Sequence, residues 1–423
     1  MQFKGWGTSL AWWANIPFDD TVVDTLCDLL FSKQGLGLNI VRYNLGAGSN
    51  PNNPIPNLRS GAMVPCLQNN SFSTLDAKND PLQIRILNKA IALEANHVEL
   101  FSNSPPWWMT KNGLSTGNTF STNLNRQKAG TFANFLSKSY DLFHELYPKV
   151  SLSLEPFNEP SNPFWTQSSH QEGAFFDYKT RIDVIKALKQ QNPDLHLATA
   201  DEFSSLFALA WYLVSPKNLV NQINIHGYSF YKFHKYWIPD DLDIFRFALR
   251  KISTKPIWMS EFGMGGPNTW QNALILASQI FRDLRTLRPE AWIYWQAVEN
   301  TSQNSWGLLQ LPFDLTSKNI TISLQYWILM HFTKTLQQND QFSFLGKSIL
   351  KVTNKLTNKI AFVILNKNKK PLKLKKKFVS YLKANKLVSC FISTHSKIMD
   401  LKFDVPSHLP PQSITSITLV AKN

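Results

Sequence analysis

Over the first three quarters of the chain, apolar and polar positions repeat one unit: a short β-branched or apolar run, then a stretch with apolar residues at helical spacing. Eight such runs occur, at residues 3–8, 37–43, 98–102, 150–155, 195–200, 222–226, 256–260 and 291–295. Several are continuously apolar, as strands buried on both faces should be. The intervening segments read as helices. Residues 125–147, for example, place Phe132, Phe135, Leu136, Tyr140 and Phe143 on one face and stop before Pro148. Eight β/α units predict an α/β fold of the closed (β/α)8 TIM-barrel type.

From about residue 335 the period changes. Short apolar stretches at 348–352, 360–365, 378–382, 387–392 and 413–420, separated by Asn, Lys and Pro, read as antiparallel strands. This divides the chain into a barrel, 1–334, and a C-terminal all-β side domain, 335–423. Composition divides at the same place. Of 44 Lys/Arg and 29 Asp/Glu in the chain, residues 341–423 hold 16 and 2, so nearly all of the +15 net charge lies there. No acid occurs between Lys347 and Lys386, whereas all 14 tryptophans lie between Trp6 and Trp327. Lysines alternate with apolar residues in Leu372-Lys373-Leu374-Lys375, the pattern of a sheet with one wet face. A solvated face is the simplest reading of this charge. The sharper one is attraction to an anionic glycan or surface, and nucleic acid is disfavoured because the stretch lacks interleaved aromatics.

No run approaches the roughly 18 apolar residues of a transmembrane segment, and the start has no signal-peptide hydrophobic region. As written the chain reads as cytoplasmic; with a leader upstream of Met1 it would be secreted, and the Asn69, Asn300 and Asn319 sequons would then matter. The three cysteines, Cys27, Cys66 and Cys390, have no metal or redox spacing and read as small buried side chains. No His-Glu-x-x-His, phosphate loop or dinucleotide fingerprint occurs, so neither cofactor nor metal is expected.

A barrel enzyme builds its site at the carboxyl ends of its strands. There the sequence places Arg42 and Asn44 after strand two, Ser104-Pro105-Pro106-Trp107-Trp108 after strand three, and Asn158-Glu159-Pro160 after strand four. His226 and Tyr228 follow strand six, Glu261 strand seven and Trp295 strand eight. Two glutamates facing each other across the mouth are the pair that glycosidic bond cleavage needs. Either alone is weak evidence, because a strand-end Glu often caps a helix or makes an ion pair. Other acids compete. Glu155 reads as a buried partner for a base inside the barrel, and Asp201 and Glu202 as subsite groups or helix caps. Among the aromatics, Trp258 and Trp292 read as core, while Trp12, Trp13, Trp107, Trp165, Tyr231, Trp237 and Trp306 lie in loops where some would stack on sugars.

Three segments, Gly5-Trp6-Gly7-Thr8-Ser9-Leu10-Ala11-Trp12-Trp13-Ala14, Asn39-Ile40-Val41-Arg42-Tyr43-Asn44 and Phe101-Ser102-Asn103-Ser104-Pro105-Pro106-Trp107-Trp108-Met109-Thr110, carry a resemblance. With the segments around Glu159 and Glu261, they make the chain resemble glycoside hydrolase family 30, and within it the endo-β-1,6-galactanases. The resemblance implies a retaining endo-β-glycosidase with a β-sandwich on the barrel's side and an oligo- or polysaccharide substrate. β-1,6-Glucan, glucuronoxylan and glucosylceramide are the alternatives. It makes Glu159 the acid/base and Glu261 the nucleophile. Asn158 then holds the sugar 2-hydroxyl, Arg42 and Tyr228 position the nucleophile, and Trp108 and Trp295 shape the subsite floor. Trp12 joins the substrate-binding set as a mouth aromatic, and His226 as a residue that orients Tyr228 or touches substrate. Arg42 would keep the Glu261 carboxyl ionised, and the charge on Glu261 would make loss of the Glu159 proton costly until the glycosyl-enzyme forms. A monomer is expected. The rival class is a glycan-binding barrel without turnover.

Overall fold

All eight predicted runs are parallel strands: β1 Gly5–Ser9, β2 Ile40–Asn44, β3 His97–Phe101, β4 Ser151–Glu155, β5 Ala198–Glu202, β6 Gln222–His226, β7 Ile257–Phe262 and β8 Ala291–Gln296. The computed structural model describes residues 2–55, 57–118, 120–228, 241–302 and 305–421; Tyr231 and Trp237 lie outside the described residues. Consecutive strands pair in order, and β8 pairs back onto β1 with Gly5 opposite Ala291. β4 meets β5 through Leu154 and Leu197, where the Leu154 N–H donates to His196 O at 2.9 Å. The ring is therefore continuous. Gly7 serves its close packing, since a Cβ there would stand 2.6 Å from Ile40 O on β2.

Around the ring lie α1 Asp20–Phe31, α2 Pro81–Ala92, α3 Ala129–Leu146, α4 Tyr178–Gln191, α5 Ser205–Val214, α6 Asp243–Ile252, α7 Trp270–Thr286 and α8 Leu324–Thr333. Their starts are written locally. Asp19 accepts from Val22 N, Asp177 from Thr180 N and Thr269 from Asn272 N, while α2 opens on Pro81, whose missing N–H costs nothing there. The apolar stripe of each helix joins one core with the strands; in α7 it is Ala273, Leu276, Ala277, Ile280 and Leu284. The three cysteines are buried and unpaired.

C-terminal to α8, strands β9 Gln341–Phe344, β10 Ile349–Asn354, β11 Lys359–Asn366, β12 Lys386–Ser393, β13 Asp400–Leu401 and β14 Ser413–Val420 form an antiparallel sheet in the order β9-β10-β11-β14-β12-β13. Alternation along β11 divides its side chains. Ala361, Val363 and Leu365 enter the core shared with the barrel, whereas Phe362 and Ile364 enter a second cluster with Leu374, Leu382, Leu409 and Ile417. His331 on α8 joins the two bodies, its buried ring lying 2.9 Å from Ser416 Oγ and 2.8 Å from Ser393 Oγ. Trp270 Nε1 also donates to Gln412 O at 2.6 Å.

One expectation for this region needs correction. Residues 378–382 are not a strand but part of helix α9, Lys376–Ala384, because Phe378, Val379 and Leu382 recur at helical spacing. The alternation at Leu372-Lys373-Leu374-Lys375 does put the lysines in water and Leu374 in the core, on a short strand pair, Leu372–Lys373 with His408–Leu409. That pair and α9 cover one side of the six-stranded sheet, with Phe378 edge-on to Phe362 at 5.2 Å. The lysines project from that cover, and Lys373, Lys375, Lys376, Lys377 and Lys383 are all exposed. No helix among the described residues is long and apolar enough to cross a membrane.

Leu382, on the inner side of α9, is fully buried. Leu382→Ala is expected to cost about 2–5 kcal/mol in urea unfolding, and Lys383→Ala at most about 0.5 kcal/mol. Equal effects would contradict the docking of this helix.

Candidate active site

Past the end of β4 the chain turns sharply. Glu159 takes a left-handed conformation, with φ +43°, and its N–H donates to Asp201 O at 2.8 Å. Its carboxyl is held on both oxygens. Oε2 accepts from Asn162 Nδ2 at 2.6 Å, and Oε1 lies 3.1 Å from His226 Nδ1. The Asn162 amide is oriented by Phe164 N–H, which donates to its Oδ1 at 2.9 Å. Trp165 Nε1 donates to Glu159 O at 3.0 Å, closing the turn. Opposite, Glu261 belongs to β7 itself. A register shift in the pairing of β6 with β7 sets it beside His226. One oxygen of each glutamate and one nitrogen of His226 all lie within 4.8 Å of one another.

Beneath this pair Arg42 spends its guanidinium on three strands. Nη1 donates to Glu261 Oε2 at 2.7 Å, Nη2 to Asp201 Oδ2 at 2.6 Å and Nε to Glu99 Oε1 at 3.2 Å. Arg42, Glu99, Asp201 and His226 have no exposed surface, so they are compensated by one another and by neutral donors, with Gln222 Nε2 and Asn224 Nδ2 each donating to Glu99 Oε2 at 3.0 Å. His226 completes the array: Nε2 lies 3.0 Å from Asp201 Oδ1, and Nδ1 lies 3.5 Å from Glu261 Oε1. Burial alone would pull the imidazole down, but the Glu261 and Asp201 charges outweigh it and raise it to about 10. Asp201 also accepts from Ser260 Oγ at 2.6 Å, and the Arg42 and His226 charges hold it below the usual carboxylate range against its burial.

Glu261 behaves differently from the expectation that Arg42 would hold it low. Burial pushes its carboxyl above the ordinary range, and His226 first, then Arg42, pull it back. Tyr228 adds a hydrogen bond to Glu261. Asp201 and Glu202 are not helix caps, for Glu202 is buried against Arg181 of α4 at 2.5 Å. Glu155 has no base beside it. Its buried Oε2 has no hydrogen-bond partner among the described residues, and burial followed by the Asp201 and Glu99 charges drives the carboxyl well above the ordinary range.

A cavity of about 320 Å³ opens over the two glutamates, walled by Asn158, Trp165, Trp295, Trp306, Gln171 and Arg59. Asn158 is buried, and its Oδ1 has no hydrogen-bond partner among the described residues. Of the residues named from sequence, Asn158, Glu159, Tyr228, Glu261 and Trp295 line the cavity, while Arg42 and His226 lie beneath it. Trp12 is buried behind the wall, edge-on to Trp295 at 5.1 Å, and Arg59 covers its ring at 4.9 Å. Trp13 is core. Trp108 is not brought in. It lines a separate groove of about 640 Å³ with Gln68, Lys128 and Asn134. Gly263 follows the nucleophile candidate for a packing reason, since a Cβ there would stand 3.0 Å from Trp295 and 3.2 Å from Trp306.

This geometry meets its relatives in three comparisons. The model of O-glycosyl hydrolase family 30 matches residues 4–218, half of the chain. An endo-β-1,6-galactanase of Hypocrea rufa is 33% identical, over 80% of this chain and 73% of that protein. The chain belongs to glycoside hydrolase family 30. It is an O-glycosyl hydrolase. An exo-β-1,6-galactobiohydrolase of Bifidobacterium longum is 23% identical over 74% of this chain, which spans 28% of that longer protein. Among solved structures, a conserved exported protein from Bacteroides fragilis superposes with a TM-score of 0.81 at 18% identity, covering 99% of this chain and 98% of that one. The catalytic domain of a family 30 xylanase from Talaromyces cellulolyticus gives 0.74 at 16%, covering 100% and 98%. These structural matches bear on the fold alone.

Sequence reasoning left Glu99, Ser260, Asn162, Arg59 and Gln171 out of the family 30 site. Glu99 and Ser260 lie inside strands that read simply as barrel wall. Asn162 follows Glu159 by three residues and could have been suspected as a local partner. Arg59 and Gln171 come from long loops with no pattern.

Glu155→Gln tests the upward shift of the Glu155 carboxyl. A folded pKa raised above the unfolded value of about 4.5 gives stability that is present below it and is lost as pH rises, at up to about 1.4 kcal/mol per pH unit. The Gln variant is expected to fold and to lack this part of the decline above pH 4.5 in urea melts. An unchanged pH dependence would mean that Glu155 ionises in place.

Proposed function

We propose that the protein is a retaining endo-β-1,6-galactanase, with Glu261 as nucleophile and Glu159 as acid/base. The observation that carries this reading is the separation of the two carboxyls. Oxygens within 4.8 Å leave no room for the intervening water of an inverting enzyme and match direct attack. Glu261 attacks the anomeric carbon while Glu159 protonates the departing oxygen; Glu159 then takes a proton from the water that releases the sugar. Asn158, whose buried Oδ1 has no partner among the described residues, suits the sugar 2-hydroxyl, and Trp165, Trp295 and Trp306 suit the apolar faces of the sugars. The galactan specificity rests on the Hypocrea rufa enzyme's name and the chain's identity to it. Other family 30 β-glycans are the alternative. The exposed lysines of α9 and of the strand pair beside it support attraction to an anionic glycan, and a monomer remains the expected state.

Glu261→Ala is expected to remove turnover of β-1,6-galactan, read as reducing ends, while affinity for galacto-oligosaccharide and the unfolding midpoint stay near wild type; residual turnover above about 1% would sink the assignment. Glu159→Ala is expected to lose about 10²–10⁴-fold and to be partly restored by azide, which needs no general base. Proton NMR of the first product should show the β-anomer. An α-anomer appearing first would overturn retention.

A further inference from the structure

We propose that the groove lined by Trp108 is a second carbohydrate-binding site, set on the flank of the barrel and taking a neutral β-linked glycan chain. The identity of the ligand rests on the galactanase reading, since the polymer that is cut is the one that the groove holds. Groove and catalytic cavity share no lining residue, and the groove is the larger, about 640 Å³ against about 320 Å³. Its upper end lies on the catalytic face of the barrel. Trp108 comes from the loop after β3, residues 68–75 from the loop after β2, and Lys128 and Thr131 from the start of α3. From there the groove follows α3 from Thr131 to Glu145, about 21 Å along the helix axis.

Floor and rim differ in chemistry. Met109 and Phe135 are buried beneath the groove, and Leu75, Trp108 and Leu142 are half-buried in its floor. Around them Ser71, Thr74, Thr131 and Asn134 are exposed, three hydroxyls and an amide. A pyranose has C–H groups on its faces and hydroxyls around its edge, so an apolar floor with neutral polar groups above it matches both parts. Charge narrows the ligand further. The charged residues of the lining are Lys128, Lys138, Asp141 and Glu145, which sum to zero, so the groove favours an uncharged chain. The lysines of the C-terminal region, which have no such balance, present the opposite case.

Two aromatic rings are held in place for such a chain. Trp108 stands edge-on to Trp107 at 5.6 Å, and its backbone oxygen accepts from Lys128 Nζ, so the indole is fixed before a ligand arrives and little ordering is left to oppose binding. Phe72 is 96% exposed, on a turn between the groove residues Ser71 and Ser73. That turn is built around Asn70. Its Oδ1 accepts from Phe72 N–H at 2.9 Å and from Ser73 N–H at 3.1 Å, while its own N–H donates to Ser73 Oγ at 3.1 Å. The phenyl ring is thereby set at the lip of the groove, where it extends the aromatic surface that Trp108 begins.

Phe72→Ala combined with Asn134→Ala, both at exposed positions, tests the groove in a Glu261→Ala background, which holds galactan without cutting it. Retardation in gels containing neutral β-1,6-galactan is expected to give a Kd about fivefold or more weaker than for Glu261→Ala alone, with the unfolding midpoint unchanged. An equal Kd would overturn the proposal. So would retardation that disappears in high salt, which would assign the binding to the exposed lysines. With Glu261 restored, the same pair is expected to lower kcat/KM on the polymer and to leave galactotriose hydrolysis as it was; equal losses on both would tie these residues to the catalytic cavity and overturn a separate site. Galactan cleavage with no effect of the pair removes the groove and leaves the galactanase reading standing. Retardation that the pair abolishes, in a protein that cuts no galactan, keeps the groove and removes the galactanase reading.

Discussion

A buried guanidinium with three carboxylates around it is the constraint on which this site depends. Arg42 is wholly removed from water, and its hydrogen bonds run to β3, β5 and β7. Removing one partner of such an array leaves an uncompensated charge in the interior, at a cost of about 3–5 kcal/mol. The strands that supply those partners are therefore tied to one another at their carboxyl ends, where a barrel needs precision for chemistry and hydrophobic packing alone does not supply it. His226 extends the array by one step, so that the nucleophile candidate and the acid candidate are held through a common framework of charge.

Placing the carboxyls is thus an electrostatic matter as much as a conformational one. Glu159 needs a left-handed backbone, a hydrogen bond from its own N–H to β5 and an oriented amide at Asn162. Glu261 needs a register shift in its strand and opposing cations on both oxygens. Glu155 illustrates the opposite solution. No cation pairs with it among the described residues, and burial with the neighbouring Asp201 and Glu99 charges pushes its carboxyl well upward, toward the neutral form.

The C-terminal sheet does a different job. It buries one face on the barrel through Ala361, Val363 and Leu365, and hides the other under α9. Its lysines need no buried partner because they project from the cover into water, where like charges are screened. High charge here is compatible with the fold without being required by it, which separates this region from the barrel, where Arg42 is held by ion pairs to Glu99, Asp201 and Glu261.

Much was decided by sequence alone. Period and run length identified eight strands to within a few residues, because a strand buried on both faces must be apolar and a helix beside it must carry one apolar stripe. Strand-end position separated Glu159 and Glu261 from most other acids, since barrel topology ties the functional face to chain direction. Short-range pattern misled at 378–382, where five residues cannot distinguish a buried strand from one face of a short helix. It also could not tell a loop tryptophan that lines the cavity, Trp165, from one buried behind it, Trp12. Tertiary structure alone decided the partners of the charges. Glu99, Asp201 and His226 lie 57 to 184 residues from Arg42 along the chain and converge only because the sheet closes into a ring. Which carboxyl is ionised, and which side chain carries the proton, follow from distances of about 3 Å across that ring, which no local pattern encodes.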